Sequence, residues 1–246
     1  MAMNLATMQF LSKSLGRHVT YTAILPDPVR HGSGPFPILY QLHGASDDHT
    51  AWVHFSRLVQ HVAPYPLIVV MPDGALSGWR NSGTRERYED LVVVDLPRHA
   101  AATFHVRPGR AAIGGLSMGG GGAIRLGMKH PDLFASIWAH SSSLPTPDRL
   151  RARYGLSEQE TAADDVYAIA RGLATAPRLS RPVLSFDCGL DDFLLADNRA
   201  FHQHLEGLGL PHTYREHPGA HTWEYWDAHI REALVQHATM LGIGRQ

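Results

Sequence analysis

The sequence predicts an α/β fold, a mostly parallel sheet with helices on both faces. Three observations carry that prediction. The runs Ile38-Leu39-Tyr40-Gln41-Leu42 and Leu67-Ile68-Val69-Val70-Met71 are nearly continuous in apolar residues, as strands covered on both sides are. Segments with helical apolar spacing lie between such runs. A third run, Ala111-Ala112-Ile113, stops at Gly114-Gly115 and leads through Leu116-Ser117-Met118 into Gly119 to Gly122 and a helix-like Ala123-Ile124-Arg125-Leu126.

Taken in order, Met8 to Leu15 and His18 to Leu25 are extended runs separated by Gly16-Arg17, an antiparallel hairpin ended by Pro26-Asp27-Pro28. Ile38 to Leu42 follows as a strand ending in His43-Gly44-Ala45. Trp52, Phe55, Leu58, Val59 and Val62 then give Ala51 to Val62 the spacing of one helix. Leu67 to Met71 is a strand stopped by Pro72-Asp73-Gly74, and the loop Ala75 to Arg85 holds Trp79. A helix is expected from Arg87 to Phe104, with Pro97 as a kink or a break. The strand Arg110 to Ile113, the helix Met118 to Lys129 and the strand Phe134 to Ala139 come next. Ser141 to Arg181 departs from the alternation; it is polar, with one weak helical stretch from Glu158 to Leu173. This segment, 141–181, is either a small cap or a connection across the end of the sheet. The final sheet strand is His212 to His217.

A chain of 246 residues, 44% hydrophobic and 18% charged, fits one globular domain over 1–246. Its net charge of −1 gives no footprint for nucleic acid or an anionic membrane. The single cysteine, Cys188, excludes an internal disulfide and, after Val183-Leu184-Ser185-Phe186, reads as a buried inert thiol. Met1 to Leu15 lacks the basic and apolar regions of a signal peptide, and no run is long enough to span a membrane. A cytoplasmic protein is the expectation, with a homo-oligomer the base-rate choice. The 17 histidines are scattered and no H-E-x-x-H occurs, so neither a metal nor a cofactor is expected.

Gly115-Leu116-Ser117-Met118-Gly119 fits G-x-S-x-G, a sharp strand-to-helix turn that projects a serine hydroxyl above the sheet. A hydroxyl is a weak nucleophile at neutral pH and needs a base, itself oriented by a carboxylate. Parallel sheets gather their sites at strand carboxyl ends. Two loops there supply candidates: Gly189-Leu190-Asp191-Asp192-Phe193-Leu194, with two aspartates, and His217-Pro218-Gly219-Ala220-His221, with two histidines. His221 holds the tip position; one aspartate is the acid and the other caps the following helix. Backbone N–H groups of Met118 and Ala45 are the expected oxyanion donors, and His43 orients its loop.

Leu42-His43-Gly44, Met71-Pro72-Asp73-Gly74, the serine motif, Cys188 to Leu194 and Pro218-Gly219-Ala220-His221-Thr222-Trp223 together resemble a family of α/β hydrolases. It is the putative esterase family, which includes esterase D/S-formylglutathione hydrolase, tributyrin and acetyl esterases, feruloyl esterases and mycolyltransferases. The resemblance runs in order from about Met8 to the last helix. It implies the α/β-hydrolase fold and a serine carboxylesterase acting through an acyl-enzyme on a small-molecule ester, with short acyl or small aryl groups. It places the nucleophile at Ser117, the acid at Asp192 rather than Asp191, the base at His221 and the oxyanion donors at Ala45 and Met118. Trp79, Trp223 and His43 fall near its substrate-binding positions. Ala220 stands where the family often has a second glycine, and Ala45-Ser46-Asp47-Asp48 lacks the cysteine of the formylglutathione-specific members. The alternatives are a thioesterase or acyltransferase with the same triad and, further off, a binding protein on a hydrolase scaffold.

Overall fold

The computed structural model describes residues 4–178 and 181–245. Its strands are β1 (Asn4–Ser12), β2 (Arg17–Leu25), β3 (Ile38–Leu42), β4 (Ile68–Pro72), β5 (Asn81–Ser82), β6 (Glu86–Arg87), β7 (Ala111–Leu116), β8 (Phe134–His140), β9 (Val183–Gly189) and β10 (Thr213–His217). Its helices are α1 (Pro28–His31), α2 (Ala51–His54), α3 (Leu58–Val62), α4 (Tyr88–Asp90), α5 (Leu96–Thr103), α6 (Met118–Lys129), α7 (Pro147–Tyr154), α8 (Glu158–Asp164), α9 (Val166–Thr175), α10 (Leu195–Gly207) and α11 (Trp223–Met240).

One eight-stranded sheet has the order β1-β2-β4-β3-β7-β8-β9-β10. The β1–β2 hairpin and the β2–β4 pair are antiparallel. From β4 across to β10 the pairings are parallel. Alternation along the central strands feeds two cores. Tyr40, Val70 and Ile113 pack with Leu96 of α5, Ile124 of α6, Ala170 of α9 and Phe201 of α10. Leu39, Val69 and Ala112 face the other way, onto Trp52 of α2, Leu58 of α3 and Ile230 of α11.

Three local departures have physical causes. The helix expected over Ala51–Val62 is two short ones, α2 and α3. Ser56 Oγ donates back to the Trp52 carbonyl and accepts from the Leu58 N–H, while Asp227 Oδ1 takes the Arg57 N–H. Side chains thus replace the ladder at that point. Over Arg87–Phe104 the chain does not break at Pro97; a π-helical turn, Leu91–Asp95, precedes it, and Pro97 sits in the first turn of α5. The π-helical turn, in which the Leu96 N–H reaches back to the Leu91 carbonyl, carries the helical run into the proline. The stretch expected as one helix over Glu158–Leu173 divides because Ser157 and Glu160 form a capping box for α8 and Asp165 caps α9.

Residues 141–178 form α7, α8 and α9, anchored to the elbow helix by buried charge. Arg125 of α6 is fully buried and donates to Glu89 (2.5 Å), Asp164 (2.6 Å) and the Trp79 carbonyl. Arg80 reaches the other oxygen of Asp164 at 3.1 Å. This network fixes α8 beside α6, and α7 forms a wall next to Ser117.

Candidate active site

Ser117 joins β7 to α6 with φ 53° and ψ −115°. That positive φ is strained for a residue with a Cβ and persists only where neighbours over-determine it. They do so here. The Ser117 N–H donates to the His140 carbonyl (2.9 Å), and its own carbonyl accepts from Gly121 (3.0 Å) and Ser143 (2.9 Å). The flanking glycines are required by contact. A Cβ on Gly115 would lie 2.5 Å from the Gly119 carbonyl oxygen, and one on Gly119 would lie 2.5 Å from the carbonyl oxygens of Leu42 and His43. Strand β3 therefore runs directly against the elbow.

Asp192 and His221 arrive on loops after β9 and β10. A Cβ on Gly189 would sit 2.3 Å from the Gly219 carbonyl oxygen, so those loops also meet without side chains between them. Asp192 Oδ2 lies 2.8 Å from His221 Nδ1, and His221 Nε2 lies 3.0 Å from Ser117 Oγ. With Nδ1–H donated to the carboxylate, the Nε2 lone pair is left for the serine hydroxyl. Burial pushes the Asp192 pKa up, but hydrogen bonds from His221, the Leu194 N–H and the Ser141 hydroxyl outweigh it and hold the group below the usual carboxylate value. Asp191 is exposed. His217 is directed elsewhere, stacked on His229 at 4.0 Å between ring centres.

Met118 is the first residue of α6, where the N–H has no acceptor within the helix. Ala45 follows Gly44, whose added Cβ would lie 2.6 Å from Leu116 and 3.5 Å from Ser117 Cβ. His43 holds this loop: its Nδ1–H donates to the Gly44 carbonyl (2.7 Å) and its Nε2 accepts from the Gly74 N–H (2.9 Å). Burial lowers its pKa, and the accepting Nε2 keeps the ring neutral. His43 is buried and lines neither cleft beside Ser117, so the structure puts it behind the loop and not at the substrate-binding position expected of it.

Trp79 requires the same correction. It is fully buried beneath Gly74 and Gly122, where added Cβ atoms would come within 2.4 and 2.7 Å of its indole. Its N–H donates to the His43 carbonyl at 3.3 Å. Glycine-made space admits this tryptophan to the core, and it lines neither cleft beside Ser117. Trp223 does line a cleft next to Ser117, edge-on to Trp52 at 5.2 Å.

Behind Ser117, His221 and Asp192 lies a second polar network with no signal in motif or spacing. Asp187, within β9, accepts from His140 Nδ1 (2.8 Å), the Trp138 indole (2.7 Å) and the Tyr225 hydroxyl (2.9 Å). Burial pushes its pKa up, and the charge and hydrogen bonds of His140 with those of Trp138 and Tyr225 overcome it, leaving a depressed value. Ser141 connects the two networks. Its N–H donates to the Asp187 carbonyl (2.7 Å), its hydroxyl bonds Asp192 and its Oγ accepts from the Trp226 indole (3.1 Å). The thiol of Cys188 is buried and its pKa is pushed up by that burial, which leaves it unreactive.

Among the described residues, one group could gather around a metal: His217, His229 and Glu232. Its two imidazoles are stacked, with ring planes 18° apart. Arg215 already pairs with Glu232.

A nucleophile-elbow serine within hydrogen-bond reach of a carboxylate-held histidine, on a parallel sheet, defines a serine hydrolase of the α/β-hydrolase fold. The chain belongs to the putative esterase family, whose model matches residues 12–237, and it is an esterase. It is 30% identical to an acetyl esterase of Caldicellulosiruptor saccharolyticus, over 94% of this chain and 97% of that one. Among solved structures, the fluorophosphonate-binding serine hydrolase F of Staphylococcus aureus superposes with a TM-score of 0.84 at 25% identity, covering 97% and 98% of the two chains. A ferulic acid esterase superposes with a TM-score of 0.83 at 26% identity, covering 98% of this chain and 100% of that one. Among the described residues no helix is long and apolar enough to cross a membrane.

Proposed function

We propose that the protein hydrolyses short-chain acyl and small aryl esters, with Ser117 as nucleophile, His221 as general base and acid, and Asp192 as the group that orients His221. The observation that carries this reading is the chain from Asp192 Oδ2 to His221 at 2.8 Å and on to Ser117 Oγ at 3.0 Å. As Oγ attacks the ester carbonyl, His221 Nε2 takes its proton, and the ionised Asp192 stabilises the imidazolium that forms. The N–H groups of Met118 and Ala45 receive the developing oxyanion. His221 then protonates the departing alcohol, and water repeats the cycle to release the acid. Two clefts, of about 540 and 470 Å³, flank Ser117 and leave room for a group on either side of the ester. Phe55 and Trp223 in one and Phe193 in the other offer apolar faces for a short acyl or aryl group.

The test is hydrolysis of p-nitrophenyl esters from acetate to palmitate by wild type and Ser117→Ala. Turnover that peaks at short chains and collapses in the variant is expected. A maximum at palmitate would contradict the size reading, and full activity in Ser117→Ala would contradict the nucleophile.

A further inference from the structure

The two clefts that meet at Ser117 differ in charge. One includes Asp47 and Glu224 beside Phe55 and Trp223. A hydrogen bond from Thr222 keeps the Glu224 carboxyl low in pKa and ionised. The other is bounded by Arg149 and Arg153 of α7, with Ser143, Phe193 and Asp197. Arg149 is matched by Asp197 at 2.8 Å. Arg153 is not matched. Its guanidinium lies 5.6 Å from the ring centre of its neighbour Tyr154, and among the described residues it makes no ion pair. The nucleophile therefore stands between an acidic, aromatic cleft and one with an uncompensated cation.

We propose that the α7 cleft selects esters bearing an anionic group, a carboxylate above all, on the half of the substrate that lies along it, and that Arg153 is the residue that recognises this charge. The inference rests on the esterase reading of Ser117 and names its substrate class. An anion in this cleft meets Arg153 and the Ser143 hydroxyl; in the other it meets Asp47 and Glu224. Attraction on one side and repulsion on the other both favour a single orientation. The carboxylate could belong to the acyl or to the alcohol half, and matched substrates separate the two.

For the acyl half, monoethyl succinate is compared with its neutral near-isostere ethyl levulinate. For the alcohol half, 3-acetoxypropanoate is compared with 4-acetoxy-2-butanone. Hydrolysis is followed by proton release at low and high salt. In one pair the anionic member should have a kcat/KM about fivefold higher, the size that a solvent-exposed ion pair supports. High salt should shrink that ratio. Arg153→Gln should bring it close to one. Arg151→Gln, on the same helix but paired with Asp148, should leave the ratio unchanged and so excludes an effect of net charge alone. Turnover of the neutral esters with no anionic preference in either pair, or a preference that survives Arg153→Gln, overturns the inference and leaves the esterase reading standing. No turnover of any ester overturns both.

Discussion

Two histidine–carboxylate pairs occupy the carboxyl end of this sheet, and their first halves are alike. His221 Nδ1 and Asp192 Oδ2 are 2.8 Å apart; so are His140 Nδ1 and Asp187 Oδ2. The far ring nitrogen separates them. His221 Nε2 faces Ser117 Oγ at 3.0 Å, and the ring is 18% exposed beside the clefts. His140 is fully buried, and its Nε2 has no hydrogen-bond partner among the described residues. Pairing with a carboxylate thus does not make a base. A hydroxyl within reach and an open cleft set apart His221, the proposed base, while the buried pair holds the backbone carbonyl that accepts from Ser117 and, through Ser141, the loop that carries Asp192.

The comparison breaks most decisively at the nucleophile. Ser117→Ala should lower kcat/KM by about 10³- to 10⁶-fold with the melting temperature little changed, read by p-nitrophenyl acetate hydrolysis and thermal unfolding. Asp192→Asn should reduce kcat by a factor on the order of 10⁴, because the amide can favour the wrong imidazole tautomer. Asp187→Asn makes the same chemical change in the other pair and should act on stability instead. Breaking a buried pair costs about 3–5 kcal/mol. Urea unfolding should show that loss, while kcat per titrated active site stays far closer to wild type than in Asp192→Asn.

The pH dependence of that stability loss sharpens the point. The Asp187 carboxyl has a folded pKa below its unfolded value, so its stabilisation is fully present above about pH 4 and is lost as pH falls through the folded value. The gap between wild type and Asp187→Asn should therefore narrow below about pH 4 in acid-unfolding experiments. Tyr225→Phe removes one donor from the ionised Asp187 and should give the smallest effect, about 1.5–3 kcal/mol.

The candidate site was more legible in the sequence than the residues that support it. Ser117 sits in a local motif whose glycines are forced by contacts within a few ångströms, and Asp192 and His221 follow at strand ends where parallel sheets gather their sites. Asp187 lies inside an apolar run and meets Trp138 and His140, more than 45 residues earlier, only after β8 and β9 pair. No local spacing records that meeting. Trp79 was misplaced for a related reason: a tryptophan in a loop near the site is ambiguous until the space left by Gly74 and Gly122 is known. The helix over residues 51–62 had the right apolar period, yet Ser56 and a distant Asp227 interrupted it.

The most direct test of the division between the two pairs is covalent labelling with a fluorophosphonate, followed by peptide mass mapping. Rapid formation of a single adduct at Ser117 is predicted, sharply slowed in Asp192→Asn and retained in folded Asp187→Asn. An adduct on another residue, or labelling slowed equally by the two asparagine variants, would contradict the account.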